Sequence, residues 1–227
     1  THGSFSIDAA GAWSYTASSA HDEFVAGTTY TDSFSVAAVD GTTTTVTINI
    51  LGTNDAAVIG GTTSGNVVEA GGVANGTANT PTASGTLTAA DVDNADDSFA
   101  VVSAPTLAAN GYGHYTIDAG GTWSYALDNG NAAVQALNAG DTLTDSFSVA
   151  SIDGTSQTIS ISIAGRNDAA VLTADTVGLT ETNAVLSTSG NLGISDVDNP
   201  ANFVAQAGTA GTHGSFSIDA AGAWSYT

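Results

Sequence analysis

The sequence contains no cysteine, no methionine and no lysine, and Arg166 is its one basic side chain against 22 acidic ones. Without cysteine there is neither a disulfide framework nor a thiolate metal site. Without lysine, a P-loop, a Schiff base and an internal Lys–Asn cross-link are all chemically excluded. Proline is also scarce, with 3 against 27 glycines in 227 residues, so glycine must supply most turns. No apolar run approaches the roughly 18 residues of a membrane-spanning helix, and no signal-peptide pattern is present. The net charge is −21 although only 10% of residues are charged, so the excess reflects missing cations more than dense acid. Such a surface repels phosphate backbones and anionic lipid, which sets aside nucleic-acid binding and membrane insertion. A hydrophobic content of 42% nevertheless supports a packed core.

What the sequence does have is repetition. Residues 1–16, THGSFSIDAAGAWSYT, recur identically as residues 212–227, a period of 211. A diverged copy, GHYTIDAGGTWSYA, lies between them at 113–126. TDSFSVAAVDGTTTTVTINILGTNDAAV (31–58) aligns with TDSFSVASIDGTSQTISISIAGRNDAAV (144–171) at an offset of 113. SGTLTAADVDN (84–94) likewise matches SGNLGISDVDN (189–199). The 211-residue unit therefore holds two related domains. Residues 1–53 read as the C-terminal half of one, 54–166 as a complete one and 167–227 as the N-terminal part of the next. A half-domain leaves its core face in water, so the natural chain is expected to continue at both ends. Completion by another molecule is disfavoured, because both copies of the 16-residue end compete for one slot.

Period-two alternation dominates the intact domain. Tyr115 and Ile117, then Trp123 and Tyr125, flank Ala-Gly-Gly (119–121) as a hairpin. Phe147 and Val149 form a second hairpin with Ile159, Ile161 and Ile163, joined through Asp153-Gly154. Val58-Ile59, Val67-Val68, Leu87 and Val101-Val102 mark earlier strands, and AAVQALNAG (132–140) a short helical turn ended by Gly140. The pattern predicts an all-β chain of tandem seven-stranded antiparallel β-sandwiches, immunoglobulin- or cadherin-like, in a linear array. Trp123, Trp13 and Trp224 are expected to be core anchors.

Of the 22 acids, 19 are Asp, and many stand at recurring turns and linkers. Strand directions place Asn54, Asp55, Asp91, Asp93 and Asp153 at one domain junction. Glu69 lies 14 residues beyond Asp55, roughly 45 Å of extended chain, and should reach the opposite pole. There it joins Asn167, Asp168, Asp196 and Asp198 at the second junction, while Asp40 and Glu181 belong to junctions outside the sequence. Asp-Gly and Asp-Asn also form turns for ordinary backbone reasons. The whole set, converging with no cation, points instead to a hard divalent ion, calcium, with its roughly 6–8 oxygen ligands. Zinc is disfavoured by the missing Cys and the scattered His.

The stretch GTWSYALDNGNAAVQALNAGDTLTDSFSVASIDGTSQTISISIAGRNDAAV (121–171) resembles the VCBS repeat of giant bacterial surface adhesins and other secreted repeat proteins. The linked motifs I-D-A-x-G-x-W-S-Y, T-D-S-F-S-V and G-x-N-D-A carry the resemblance along the whole chain. It implies cadherin-like modules, exported and strung as spacers, with calcium between consecutive domains. The chain departs from a cadherin linker at Gly52 and Gly165, where an acid is expected, and in the Ala-Ala after Asp55 and Asp168. Fewer or weaker ions follow.

The leading expectation is therefore a calcium-stiffened extracellular repeat forming the shaft of an adhesin, or of a surface or biofilm filament. Its partners would be neighbouring copies of the repeat, with lateral self-association through sheet edges, and a surface or glycan reached through regions outside this chain. The alternative is a glycan- or ice-binding module using the Thr-rich strand 42–47 or Tyr112. An enzyme is not expected, since His2, His21, His114 and His213 form no recurring catalytic constellation and read as surface residues. Asn75-Gly76-Thr77 has the form of a glycosylation sequon but reads as a loop.

Overall fold

A computed structural model describes residues 1–227, the Ala74 side chain excepted. The chain opens with two hairpins, β1 (Gly3–Ile7) on β2 (Trp13–Ala17) and β3 (Thr29–Ala37) on β4 (Thr43–Leu51). The hairpins stack through aromatic side chains, with the Phe5 ring 4.7 Å from that of Phe34. Trp13 is not the expected core anchor: it is 52% exposed. An indole on a strand is buried only when a facing strand covers it, and residues 1–53 contain no counterpart of the strands that cover Trp123. His21 departs from expectation in the other direction. Its ring stacks 4.5 Å from Phe24, and its Nδ1 lies 2.9 Å from Glu23 Oε1. It therefore belongs to a packed aromatic cluster with His2 and Tyr30, whereas His114 and His213 are exposed.

The central module runs β5 (Val58–Gly61), β6 (Ser64–Val68), β7 (Thr82–Ala90), β8 (Val102–Leu107), β9 (Gly113–Ile117), β10 (Thr122–Leu127), α1 (Ala132–Gln135), β11 (Thr142–Ala150) and β12 (Ser156–Ala164). Two sheets result, ordered β5-β7-β10-β9-β8 and β11-β12-β6. β5 and β6 are one strand that changes sheet at Gly60–Thr63, so eight segments make a seven-stranded sandwich. A Cβ on Gly61 would meet Thr86 O at 2.4 Å, and its φ is 100°, so only glycine makes this crossing. Pairing is antiparallel except for β6 on β12, which runs parallel from Ser64↔Ser160 to Val68↔Ala164.

Alternation sends Trp123, Tyr125, Phe147, Val149 and Ile159, Ile161 and Ile163 into one core with Val67, Leu87, Phe99 and Ile117. Trp123 is fully buried, and its Nε1 donates to Thr62 O at 2.8 Å. Helix α1 is capped by Asn131, whose side chain accepts from Ala133 N, and ends at Ala136, before Gly140. Gly140 instead closes the Asn138–Asp141 turn.

One buried charge escaped the sequence reading. The Asp145 carboxylate is fully buried and accepts from Asn110 N (2.9 Å), Tyr112 N (3.1 Å), Ser146 N (2.8 Å) and Tyr125 Oη (2.9 Å). Its counterpart Asp32 accepts from His2 N at 2.7 Å and Tyr15 Oη at 2.9 Å. Tyr112, in the bend before β9, is thereby held partly buried against the core.

The remaining residues form β13 (Val171–Leu172), β14 (Thr188–Asn191), β15 (Ile194–Ser195), β16 (Gln206–Ala210), β17 (Ser215–Ile218) and β18 (Ala223–Tyr226). β13 pairs with β15, and the order β14-β18-β17-β16 repeats β7-β10-β9-β8. Residues 173–187 carry no strand, and Trp224 is half-buried.

Candidate metal centre

The first junction is built from side chains that cap their own turns. Asp91 Oδ1 accepts from the backbone N–H of Asp93 and of Asn94, each at 3.2 Å, which folds the D-x-D-N turn after β7. The linker approaches this turn through Asp55 N, 3.4 Å from Asp93 Oδ1, while the Asn54 amide folds back on Asp55 O at 2.8 Å. Asp153, at the β11–β12 turn, holds the next linker residue by accepting from Ala57 N at 3.0 Å. The Ser151 and Thr155 hydroxyls also donate to it and hold its carboxyl well below the usual range. These bonds join Asp55 to Asp93 and Ala57 to Asp153 where the linker enters the central module.

The second junction is more deeply buried. Glu69 follows β6 and is fully enclosed; its Oε1 accepts from Arg166 N at 2.8 Å, while Oε2 has no donor. Asp168 is 5% exposed, and both its carboxylate oxygens are buried without a donor. Its N–H donates to Asp198 Oδ2 at 3.0 Å, and Asp196 Oδ1 caps the turn at Asn199 N, also 3.0 Å. Asn167 bonds Asp168 O at 2.7 Å and accepts from Asn199 Nδ2 at 2.9 Å. The linker is clamped by Gly72, which donates to Asn167 O at 3.0 Å and accepts from Ala169 N at 3.1 Å. Asn138 at the base of the central module bonds Asn199 of the next. Asp40 and Glu181 stand apart and exposed, Asp40 capping its own turn at Thr42 N (2.9 Å) and Glu181 in the strandless 173–187 stretch.

Burial, with the Asp168 and Asp198 charges, pushes the Glu69 carboxyl up to about 7. Burial first, then Asp198 and Asp196, raises Asp168 as well. A carboxyl whose folded value is raised stabilises the fold below its unfolded value, and that contribution is lost as pH climbs through the folded value. Without divalent cations, the melting temperature is therefore expected to fall as pH rises from about 4.5 to 7. Glu69→Gln should flatten that slope in a series of calorimetric scans, and an unchanged slope would reject the assignment.

Among the described residues, no three His, Asp or Glu side chains stand close enough to hold an ion between them. The donor chemistry still fits a hard cation. Three buried carboxylate oxygens, Glu69 Oε2 and Asp168 Oδ1 and Oδ2, lack any donor, and the sole basic side chain, Arg166, is exposed. Only protons or an external cation can balance them, and an all-oxygen set suits calcium or magnesium over zinc. The linker glycines have a steric reason. A Cβ on Gly165 would meet Asn138 O at 2.4 Å and one on Gly52 would meet Val25 O at 2.3 Å, leaving no room for an acid.

These junctions bracket a recognisable unit. Residues 54–165 match the family model of the bacterial cadherin-like domain. The cadherin-like match covers β5 to β12 entirely, the sandwich with the split first strand. Several solved structures align with the chain. The PcdhgB3 EC1-4 structure does so at 13% identity and a TM-score of 0.45, over 99% of this chain and 55% of its own. The Protocadherin GammaB4 extracellular domain does so at 12% identity and a TM-score of 0.37, over 100% of this chain and 38% of its own. The chain thus spans about half the length of the first and less of the second. No curated protein matches it. Among the described residues, no helix is long and apolar enough to cross a membrane.

Proposed function

We propose that the chain is a calcium-stiffened extracellular structural repeat of the VCBS type, serving in the shaft of a bacterial adhesin or in a surface or biofilm filament. The observation that carries this reading is the burial of Glu69 and Asp168 at a domain junction with carboxylate oxygens that no donor satisfies. Glu69 directly follows β6, Asp168 belongs to the linker, and Asp196 and Asp198 to the following module. One ion neutralises charges from all three elements and so ties them together. Asn54, Asp55, Asp91, Asp93 and Asp153 would serve the first junction in the same way. The chain's own part is to hold the linker in place, through Gly72 and the Asx turns. With Gly52 and Gly165 in place of acids, the sites should be weak, in the roughly 10⁻⁴–10⁻³ M range of extracellular modules.

Calcium at about 100 times its Kd should stabilise the chain by about 2.7 kcal/mol. A chelator should lower the melting temperature and shorten the maximum dimension in solution scattering. Asp168→Asn should remove the second junction's share of both effects while Asp55 and its neighbours keep the first. If neither quantity responds to calcium, the stiffening role fails and the sandwich stands.

A further inference from the structure

The two related sequences within the 211-residue repeat differ in one connection. With Glu181 matched to Glu69, seven residues separate Glu181 from Ser189, whereas fourteen separate Glu69 from Ser84. The longer connection, 70–83, has a structure of its own. Gly71 and Thr77 pair as a short antiparallel bridge, N to O 3.0 and 2.9 Å, around the 3₁₀ turn Val73–Asn75. Its base is tied to the end of β6: Asn79 Nδ2 donates to Glu69 O at 2.8 Å, and Val68 N donates to Thr80 O at 2.9 Å. Its tip is fastened to α1, where Asn75 Nδ2 donates to Gln135 Oε1. Ahead of the same helix, Asn129 Oδ1 accepts from Ala70 N at 3.1 Å.

This loop lies along the linker. Gly72 pairs in parallel with Asp168, donating to Asn167 O at 3.0 Å and accepting from Ala169 N at 3.1 Å. The approach admits no side chain at Gly71, where a Cβ would stand 2.9 Å from both Arg166 Cβ and Asn167 O. Gly72 has a φ of 80°, which glycine adopts without strain. The other module type carries neither the loop nor its dock. Its connection, 182–188, has no glycine, and a bridge spanning seven residues, as Gly71–Thr77 does, would use it up entirely. On the dock side, sixteen residues separate Tyr15 from Asp32, against nineteen between Tyr125 and Asp145. Residues 16–31 contain no Asn or Gln to stand in for Asn129 or Gln135. Because residues 1–16 and 212–227 are identical, both absences belong to one module type. Loop and dock are kept together or lost together.

We propose that residues 70–81 are a clip that locks the joint following this module by backbone pairing, so that joints along an array of the repeat alternate between locked and ion-dependent. Main-chain pairs need no cation, so the linker at Asn167–Ala169 keeps its geometry whether or not an ion is bound. The joint following the other module type, at Asn54–Ala56, has no clip and closes when an ion cancels the repulsion of its acids. The rigid unit is then a pair of modules, and withdrawal of calcium leaves one hinge every 211 residues. The clip rests on the loop's own contacts; the alternation rests also on the calcium reading above.

Residue-resolved amide hydrogen exchange on the full chain in chelator tests the clip apart from the ion. The Gly72 and Ala169 amides should exchange about 100-fold more slowly than those of an open loop. Replacing 70–83 by the shorter 182–188 sequence should return Ala169 to free exchange while the Trp123 and Ile161 amides stay protected. Gln135→Ala, which undocks the turn and lies outside both sheets, should speed Ala169 about 10-fold, the worth of one hydrogen bond. This second variant decides the matter where the loop replacement impairs folding. Free exchange at Ala169 in the unaltered chain, or protection that neither variant reduces, overturns the clip. Calcium added to the loop-replaced chain should restore protection at Ala169. If it does not, the alternation falls with the calcium reading, while slow exchange of the unaltered chain in chelator still supports the clip.

Discussion

Trp123→Ala is expected to destabilise the central module by about 3–5 kcal/mol, the cost of truncating a large aromatic in a packed core. In a unit of this size that lowers the melting temperature by more than about 10 °C. The indole is fully buried and T-stacked on Phe147, 5.7 Å between ring centres. Its far edge lies over two glycines: a Cβ on Gly85 would come within 2.7 Å of the ring, and one on Gly65 within 3.1 Å. Main chain from both sheets therefore closes directly on the indole, and neither glycine has a side chain to swing into the cavity. The Nε1–Thr62 bond also pins the crossing between β5 and β6, so its loss loosens the switch that joins the sheets. Trp13→Ala, the same change at the repeated position, should cost less than about 1 kcal/mol because half of that side chain already faces water. Differential calorimetry on the two variants checks the pair, and equal shifts would reject the packing argument.

That contrast shows what a repeated sequence encodes and what it leaves to context. Alternation alone places Phe147 and Val149 against Ile159 to Ile163, and the pairing Phe147↔Ile159 follows it. Alternation also puts Trp13 and Trp123 on inward faces, but burial needs the covering strands too, and residues 1–53 have no counterpart of β6 and β7, whose Gly65 and Gly85 lie against Trp123. Val58-Ile59 and Val67-Val68 read as separate strands because the polar, glycine-rich GGTTSGN (60–66) parts them; that they form one strand crossing between sheets depends on the 2.4 Å approach to Thr86, which no pattern displays. Turn chemistry is legible in the D-x-D-N acids, and the Asp91 and Asp196 carboxylates cap those turns by accepting from backbone N–H groups further along. The full enclosure of Glu69 was beyond reach, since it depends on Arg166 N and Gly72 folding over the end of β6. Asp145 had a legible signal that went unused. Positions 145, 147 and 149 share one face of β11, so parity already put a carboxylate among core residues.

Asp145→Ala is expected to cost about 3–5 kcal/mol, because it removes the acceptor of a buried network and leaves its donors unpaired. Three backbone N–H groups and the Tyr125 hydroxyl converge on this carboxylate. They tie the chain entering β9 to β10 and β11, across the two sheets. Burial first, then the neighbouring carboxylate, pushes the Tyr125 hydroxyl far above its usual value, so it stays a donor at any working pH. Asp145→Asn keeps the shape but turns an NH2 toward one of the donors, and should cost less than the alanine. Tyr125→Phe removes a single donor and should cost least, about 1 kcal/mol. Urea titrations followed by Trp123 fluorescence can rank the three, and a double-mutant cycle between Asp145→Asn and Tyr125→Phe should show coupling, because both remove one hydrogen bond. The ranking should be the same in calcium and in chelator, since Asp145 faces donors on every side and has no oxygen to offer a cation. Asp168→Asn should behave oppositely, stabilising the chelated chain by relieving an unpaired buried charge and weakening the calcium-loaded one. If Asp145 variants instead follow the cation, the network holds a ligand rather than a brace, and the division between structural and metal-facing acids must be redrawn.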